Sequence, residues 1–167
     1  MLTKNNFVVS LALALSIASP GAAVAADAPT AFAGKVARGK YLVKIAGCND
    51  CHTPGYAQLA GKVDEKQWLT GDGLGYRGPW GTTYASNLRL YFDKISEDQW
   101  VKLARTIELR PPMPWFTLRE VSETDLRAMH AFIKSLGPAG APAPAYVPPD
   151  KEPKPPYAQF PSPPPKK

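Results

Sequence analysis

Cysteine, histidine and methionine are all scarce in this 167-residue chain, which holds two, two and three of them respectively. Both cysteines stand in one short motif, so none is left for a structural disulfide. A zinc site built on that motif would need four ligands, and there is no third cysteine and only His130 as a second histidine. After residue 26 no stretch is apolar enough to cross a bilayer. The net charge is +6, but no basic run is interleaved with aromatics, so the surface reads as mildly basic and solvated, with no nucleic acid partner expected. Gly71-Asp72-Gly73-Leu74-Gly75 lacks both the G-x-G-x-x-G spacing and a strand–helix setting, which excludes a nucleotide loop.

What is there is Cys48-Asn49-Asp50-Cys51-His52, the C-x-x-C-H pattern of covalent haem c attachment. Two thiols at i and i+3 lie on one side of a helical turn, where both can reach the vinyl groups of one porphyrin. His52 follows at once and can offer an imidazole nitrogen to the iron. A thioredoxin-like dithiol would need a βαβ setting, which the sequence lacks. A plain disulfide would leave His52 without a role. A redox-active disulfide is the remaining alternative to one covalently bound haem c.

Residues 1–26 have the form of a secretory leader. Lys4 supplies positive charge, Phe7 to Ala18 forms a short apolar stretch, Pro20 and Gly21 break it, and Ala23-Val24-Ala25 gives a cleavage pattern. Export to the periplasm is the expectation, with membrane association only through a partner or an uncleaved leader.

Residues 27–34 read as a lead-in to a compact domain over 35–137. Val36, Leu42, Val43, Ile45 and Ala46 predict a helix delivering the chain into Cys48, with Gly39 placed where another helix crosses closely. Thr53 to Asn87 is irregular. Five glycines, Gly71, Gly73, Gly75, Gly78 and Gly81, predict a loop wrapped against a flat cofactor. Trp68, Tyr76, Trp80 and Tyr84 supply aromatic area for a pocket, or else for core. Ser96 with Gln99, and Ser122 with Asp125, mark the starts of two further helices, over 97–108 and 123–136.

Between those helices, Arg110-Pro111-Pro112-Met113-Pro114 carries three prolines in four positions, which forbids a helix and holds an extended course. Met113 is thereby placed as the distal thioether ligand to iron. Met1 leaves with the leader, and Met129 lies on the apolar stripe of the last helix with Leu126, Phe132, Ile133 and Leu136. His130 points off that stripe and reads as a surface or polar-contact residue. Twelve of the 19 prolines fall in residues 138–167, which predicts a polyproline-rich tail that is either a disordered extension or a spacer or docking arm.

Assembled, these residues resemble the class I c-type cytochromes over 35–137. Arg38-Gly39-Lys40-Tyr41-Leu42-Val43, Pro79 to Asn87, Pro112-Met113-Pro114-Trp115 and Ala131 to Leu136 are similar to single-haem modules in cytochrome subunits of periplasmic alcohol and gluconate dehydrogenases. The resemblance implies thioether bonds at Cys48 and Cys51, His52 as proximal and Met113 as distal axial ligand. It also implies Pro79, Trp80 and Tyr84 at the haem pocket, with the Pro79 carbonyl facing the other nitrogen of His52. Gly39 and Phe132 would meet where the first and last helices cross. One C-x-x-C-H stands here where those subunits have three. The expectation is an all-α, haem-centred fold that passes single electrons by Fe(III)/Fe(II) cycling rather than an enzyme. Its partners would be a dehydrogenase donor and an oxidase or cytochrome acceptor. It would be a freestanding carrier or, alternatively, a dedicated dehydrogenase subunit. An open-site haem enzyme or sensor would require that Met113 not bind.

Overall fold

Glycine at position 39 allows two helices to touch. In the computed structural model, which describes residues 28–161, α1 (Ala28–Ile45) crosses the last helix so closely that a Cβ on Gly39 would fall on the Ala128 carbonyl oxygen and 2.8 Å from Phe132 Cβ. The leader expected over 1–26 and residues 162–167 lie outside the described residues. α1 starts at Ala28, so the lead-in from there on is the opening of that helix.

The remaining elements follow in order: α2 (Cys48–His52), a 3-10 turn (Glu65–Gln67), β1 (Gly75–Gly78), β2 (Gly81–Tyr84), α3 (Leu88–Asp93), α4 (Glu97–Thr106), α5 (Trp115–Leu118), α6 (Glu123–Ser135) and β3 (Tyr157–Gln159). α4 opens with a full capping box, in which the Ser96 hydroxyl accepts from Gln99 N and the Gln99 side chain accepts from Ser96 N. Ser122 caps α6 through Asp125 N at 3.1 Å. The core is built on α6: Leu126, Met129, Phe132 and Ile133 pack with Val43, Leu69, Phe92 and Trp100. Trp68 is core as well, edge-on to Tyr56 and Phe132. His130 is buried rather than at the surface, and its Nε2–H donates to the Ile95 carbonyl at 3.1 Å. Ion pairs, exposed to half-buried, stitch the helices at the rim: Arg38 to Asp125, Lys35 to Glu97, and Arg127 to Glu97, Asp98 and Glu123. Such pairs set orientation more than they stabilise.

The all-α expectation is wrong. β1 and β2 form an antiparallel hairpin, and β3 adds to β1 in parallel, giving a three-stranded sheet in the order β2-β1-β3 and a mixed α/β fold. Each strand is four residues or fewer, and the first two hold three glycines, so no alternation of apolar and polar residues announced them. Four of the five glycines, all but Gly73, make room for neighbouring protein. A Cβ on Gly78 would meet the Trp80 ring, and one on Gly75 would meet Thr82 and Tyr157.

Nor is the tail disordered as far as residue 161. Asn87 Nδ2 donates to the carbonyls of Ala139 and Ala141, Thr82 and Val147 exchange two backbone hydrogen bonds, and Phe160 N donates to the Arg77 carbonyl. Phe160 then packs on Tyr76 and Trp80. Proline-rich chain is already extended, so laying it down costs less backbone entropy than an ordinary segment. The few non-proline residues supply the donors and rings.

Candidate functional site

α1 ends at Ile45, and Gly47, in the left-handed region at φ 69, turns the chain into α2. That one-turn helix is Cys48-Asn49-Asp50-Cys51-His52 itself. Both cysteines are free and half-buried. Asn49, between them, is fully buried, and its Oδ1 accepts from the Thr53 hydroxyl at 2.8 Å. Thr53 Oγ1 in turn accepts from Leu69 N at 2.8 Å, and the His52 carbonyl accepts from Gly71 N at 2.8 Å. The turn carrying the motif is thus clamped from behind to residues 69–71. Leu69, buried and at φ 62, holds a backbone conformation that costs a branched residue roughly 1–2 kcal/mol. Its carbonyl accepts from both Leu88 N and Arg89 N, which keeps it there.

The imidazole of His52 is buried, and its Nδ1–H donates to the Ser86 carbonyl at 2.8 Å. Pro79, expected to offer that carbonyl, is instead exposed in the turn between β1 and β2, next to the half-buried Trp80. With the proton on Nδ1, the Nε2 lone pair is free, and no protein group bonds to Nε2 among the described residues. Burial pushes the His52 imidazole below its ordinary value, and the Ser86 carbonyl works partly against that. A neutral, oriented imidazole is the form that ligates a metal.

Burial pushes the Cys48 thiol up to about 11. That is the reverse of a reactive dithiol, whose nucleophilic thiol is held low. Tyr76 lies against Cys51 and is shifted upward by burial and by hydrogen bonding to that sulfur. Among the described residues no three or more His, Cys, Asp or Glu groups converge on a common metal position. Two thiols and one imidazole are also too few to hold a tetrahedral structural ion, which needs four ligands. Cys48, Cys51 and His52 therefore fit covalent haem c.

Met113 stands half-buried on the stretch joining α4 to α5. The segment is not helical, as its prolines demand, but it bends through a turn at 111–112 instead of running extended. Its carbonyl accepts from Trp115 N at 2.9 Å, and the Pro111 carbonyl accepts from Thr83 Oγ1 on β2 at 2.7 Å. Arg119 closes the stretch by laying its guanidinium over the Trp115 ring and reaching back to the Ile107 carbonyl. Met129 is 4% exposed within the core. Tyr84 ends β2 half-buried.

Ser86, Thr53, Thr83 and Arg89 went unnoticed in the sequence. Asn87 ahead of Leu88 was a legible helix cap, and it would have located the Ser86 carbonyl just outside a helix start.

One comparison with known proteins finds a likeness to a cytochrome c subunit. The chain is related to a cytochrome c polypeptide. It is 30% identical over 141 residues to a protein named "Alcohol dehydrogenase (quinone), cytochrome c subunit" from Gluconobacter oxydans (strain 621H), an alignment covering 78% of this chain and 27% of that relative. The chain thus spans about a quarter of the relative it matches. No family model matches, and no solved structure matches.

Proposed function

We propose that this protein is a c-type cytochrome that carries single electrons for a dehydrogenase, with one haem c held by Cys48 and Cys51. The observation that carries the reading is the C-x-x-C-H turn, whose histidine keeps its Nδ1–H on the Ser86 carbonyl and its Nε2 free. Bound haem c supplies a reversible Fe(III)/Fe(II) couple. The chain's own residues do the rest. Cys48 and Cys51 anchor the group through thioether bonds, and the Asn49–Thr53–Leu69 chain keeps their turn from shifting. His52, fixed in tautomer and ring orientation by the Ser86 carbonyl, would hold the iron through Nε2. Met113 would supply a second iron donor, a soft neutral thioether that favours the reduced state and raises the potential.

The similarity to a dehydrogenase's cytochrome subunit favours a module working with such an enzyme over a freestanding carrier. The leader pattern of residues 1–26 supports export to the periplasm, where such attachment is made. The test is isolation of the native protein. It should stay coloured after denaturation and acid–organic extraction, and a larger oxidoreductase should co-purify with it. Colour passing wholly into the organic phase would overturn the attachment, and a coloured protein that never reduces in the presence of the co-purified enzyme and its substrate would overturn the partner.

A further inference from the structure

The proline-rich segment reaches the one loop on which the distal ligand stands. We propose that Tyr146 in this segment is a positioning residue for Met113, acting through Arg110. The proposal rests on the reading above, in which Met113 ligates iron.

Arg110 is three residues ahead of Met113, and its guanidinium lies 3.9 Å from the centre of the Tyr146 ring. Tyr146 is itself fixed. Its hydroxyl donates to the Trp80 carbonyl at 2.8 Å, and the next residue, Val147, exchanges two backbone hydrogen bonds with Thr82, at 2.7 and 3.0 Å. Thr83, adjacent on β2, donates to the Pro111 carbonyl. Tyr146 and Thr83 therefore grip neighbouring residues, 110 and 111, from one continuous surface made of the tail and the hairpin.

The two sides of Met113 are held differently. After it, the chain is secured locally: Thr117 N and Oγ1 both return to the Pro114 carbonyl, and Trp115 carries the Arg119 stack. Before it, Glu108, Leu109, Arg110 and Pro111 are exposed, so apolar burial holds little of that stretch. Segments with few buried contacts open at small free-energy cost. Arg119 reaches back to the Ile107 carbonyl and the Glu108 carboxylate, both at 3.4 Å, and nearer to Met113 the cation–π contact and the Thr83 hydrogen bond restrain this side. A thioether on a loosely held segment yields its place more readily to a competing ligand, because each open conformer subtracts from the ligating population.

The experiment uses the holoprotein and measures two quantities: the imidazole concentration needed to displace the native sixth ligand, and hydrogen exchange at Trp115 N, which donates to the Met113 carbonyl. Tyr146→Leu removes the ring. Tyr146→Phe keeps it and removes only the hydroxyl. Arg110→Gln removes the cation. We expect Tyr146→Leu and Arg110→Gln each to take up imidazole at a roughly threefold lower concentration, the scale of an exposed cation–π contact, with faster exchange at Trp115. Tyr146→Phe, which keeps the ring and the Val147 pairing but loses the bond to Trp80, should lie closer to the wild type than Tyr146→Leu does, and the double variant Tyr146→Leu/Arg110→Gln should go no further than either single one. Wild-type imidazole affinity in both single variants, or full additivity in the double, overturns the proposal. Met113→Ala separates this from the reading beneath it. If Met113→Ala opens the iron while Tyr146→Leu changes nothing, only the positioning role falls. If Met113→Ala itself leaves the spectrum and the imidazole affinity untouched, the ligand assignment falls and the positioning role with it.

Discussion

The guanidinium of Arg89 donates its Nε–H to the carbonyl of Gly137 at 2.6 Å, across 48 positions of sequence. The same side chain reaches the carbonyls of Leu136 and Lys66. A buried cation thus closes the C-terminal end of α6, where carbonyls are left without helical partners and the helix dipole is negative.

Arg89→Ala should leave those carbonyls unpaired and cost roughly 2–4 kcal/mol. Arg89→Lys should recover little, because an ammonium cannot present the forked donors that three separated carbonyls use. Urea denaturation followed by far-ultraviolet circular dichroism measures both. A lysine variant as stable as the wild type would show that charge at the helix end, not the fork, is what matters.

The α1–α6 crossing depends on the missing side chain at Gly39. In an exposed helix, Gly→Ala stabilises by about 1 kcal/mol. Here the new methyl meets the Ala128 carbonyl, and the helices must move apart, so Gly39→Ala should lower stability by roughly 1–3 kcal/mol despite its better propensity. A raised denaturation midpoint in that variant would place the crossing farther apart than described.

Met113→Ala and Met129→Ala should differ in kind. The first should open the sixth site, giving a high-spin or water-bound oxidised spectrum and carbon monoxide binding when reduced, with little loss of helix. The second should cost about 2–5 kcal/mol as a core truncation while leaving the spectrum low-spin. The reverse outcome would transfer the ligand role to Met129. If neither changes the spectrum, His130 is the next candidate, although its Nε2 is engaged with Ile95.

Burial pulls the Glu97 carboxyl upward, but hydrogen bonds from Lys35 and Arg127 outweigh it and hold the group below its ordinary value. A carboxylate depressed in the folded state contributes stability that is present above its unfolded value and is lost as pH falls through the folded one. Denaturation midpoints should therefore decline between about pH 5 and pH 3, and Glu97→Gln should flatten part of that decline. An unchanged acid profile in Glu97→Gln would mean that other carboxylates account for it.

Several parts of this protein were legible because their causes are local. Ser96 with Gln99 and Ser122 with Asp125 announce helix starts through contacts spanning three residues, and both caps are present. Helix periodicity picked out Leu126, Met129, Phe132 and Ile133, all of which are buried. The C-x-x-C-H spacing defines its own turn, since five consecutive residues carry the donors. Gly39 stood out because a glycine inside a helix needs a neighbour to explain it.

The sequence by itself determined the donor types, their order and the helices that bear them. Only the tertiary structure decided what sets their orientation. The Ser86 carbonyl behind His52 is 34 residues away, the Thr83 hydroxyl behind Pro111 is 28 away, and Ala139 and Ala141, the partners of Asn87, are more than 50 away. The sheet follows the same rule, because Gly75 and Arg77 gain their parallel partners from Tyr157 and Gln159, in a segment whose composition alone reads as unstructured. Pairings at such separations leave no periodic mark on either partner. They arise when helix packing has already brought the two stretches together, and then a stiff, proline-rich chain with a few well-placed rings can be laid along a short hairpin at little entropic cost.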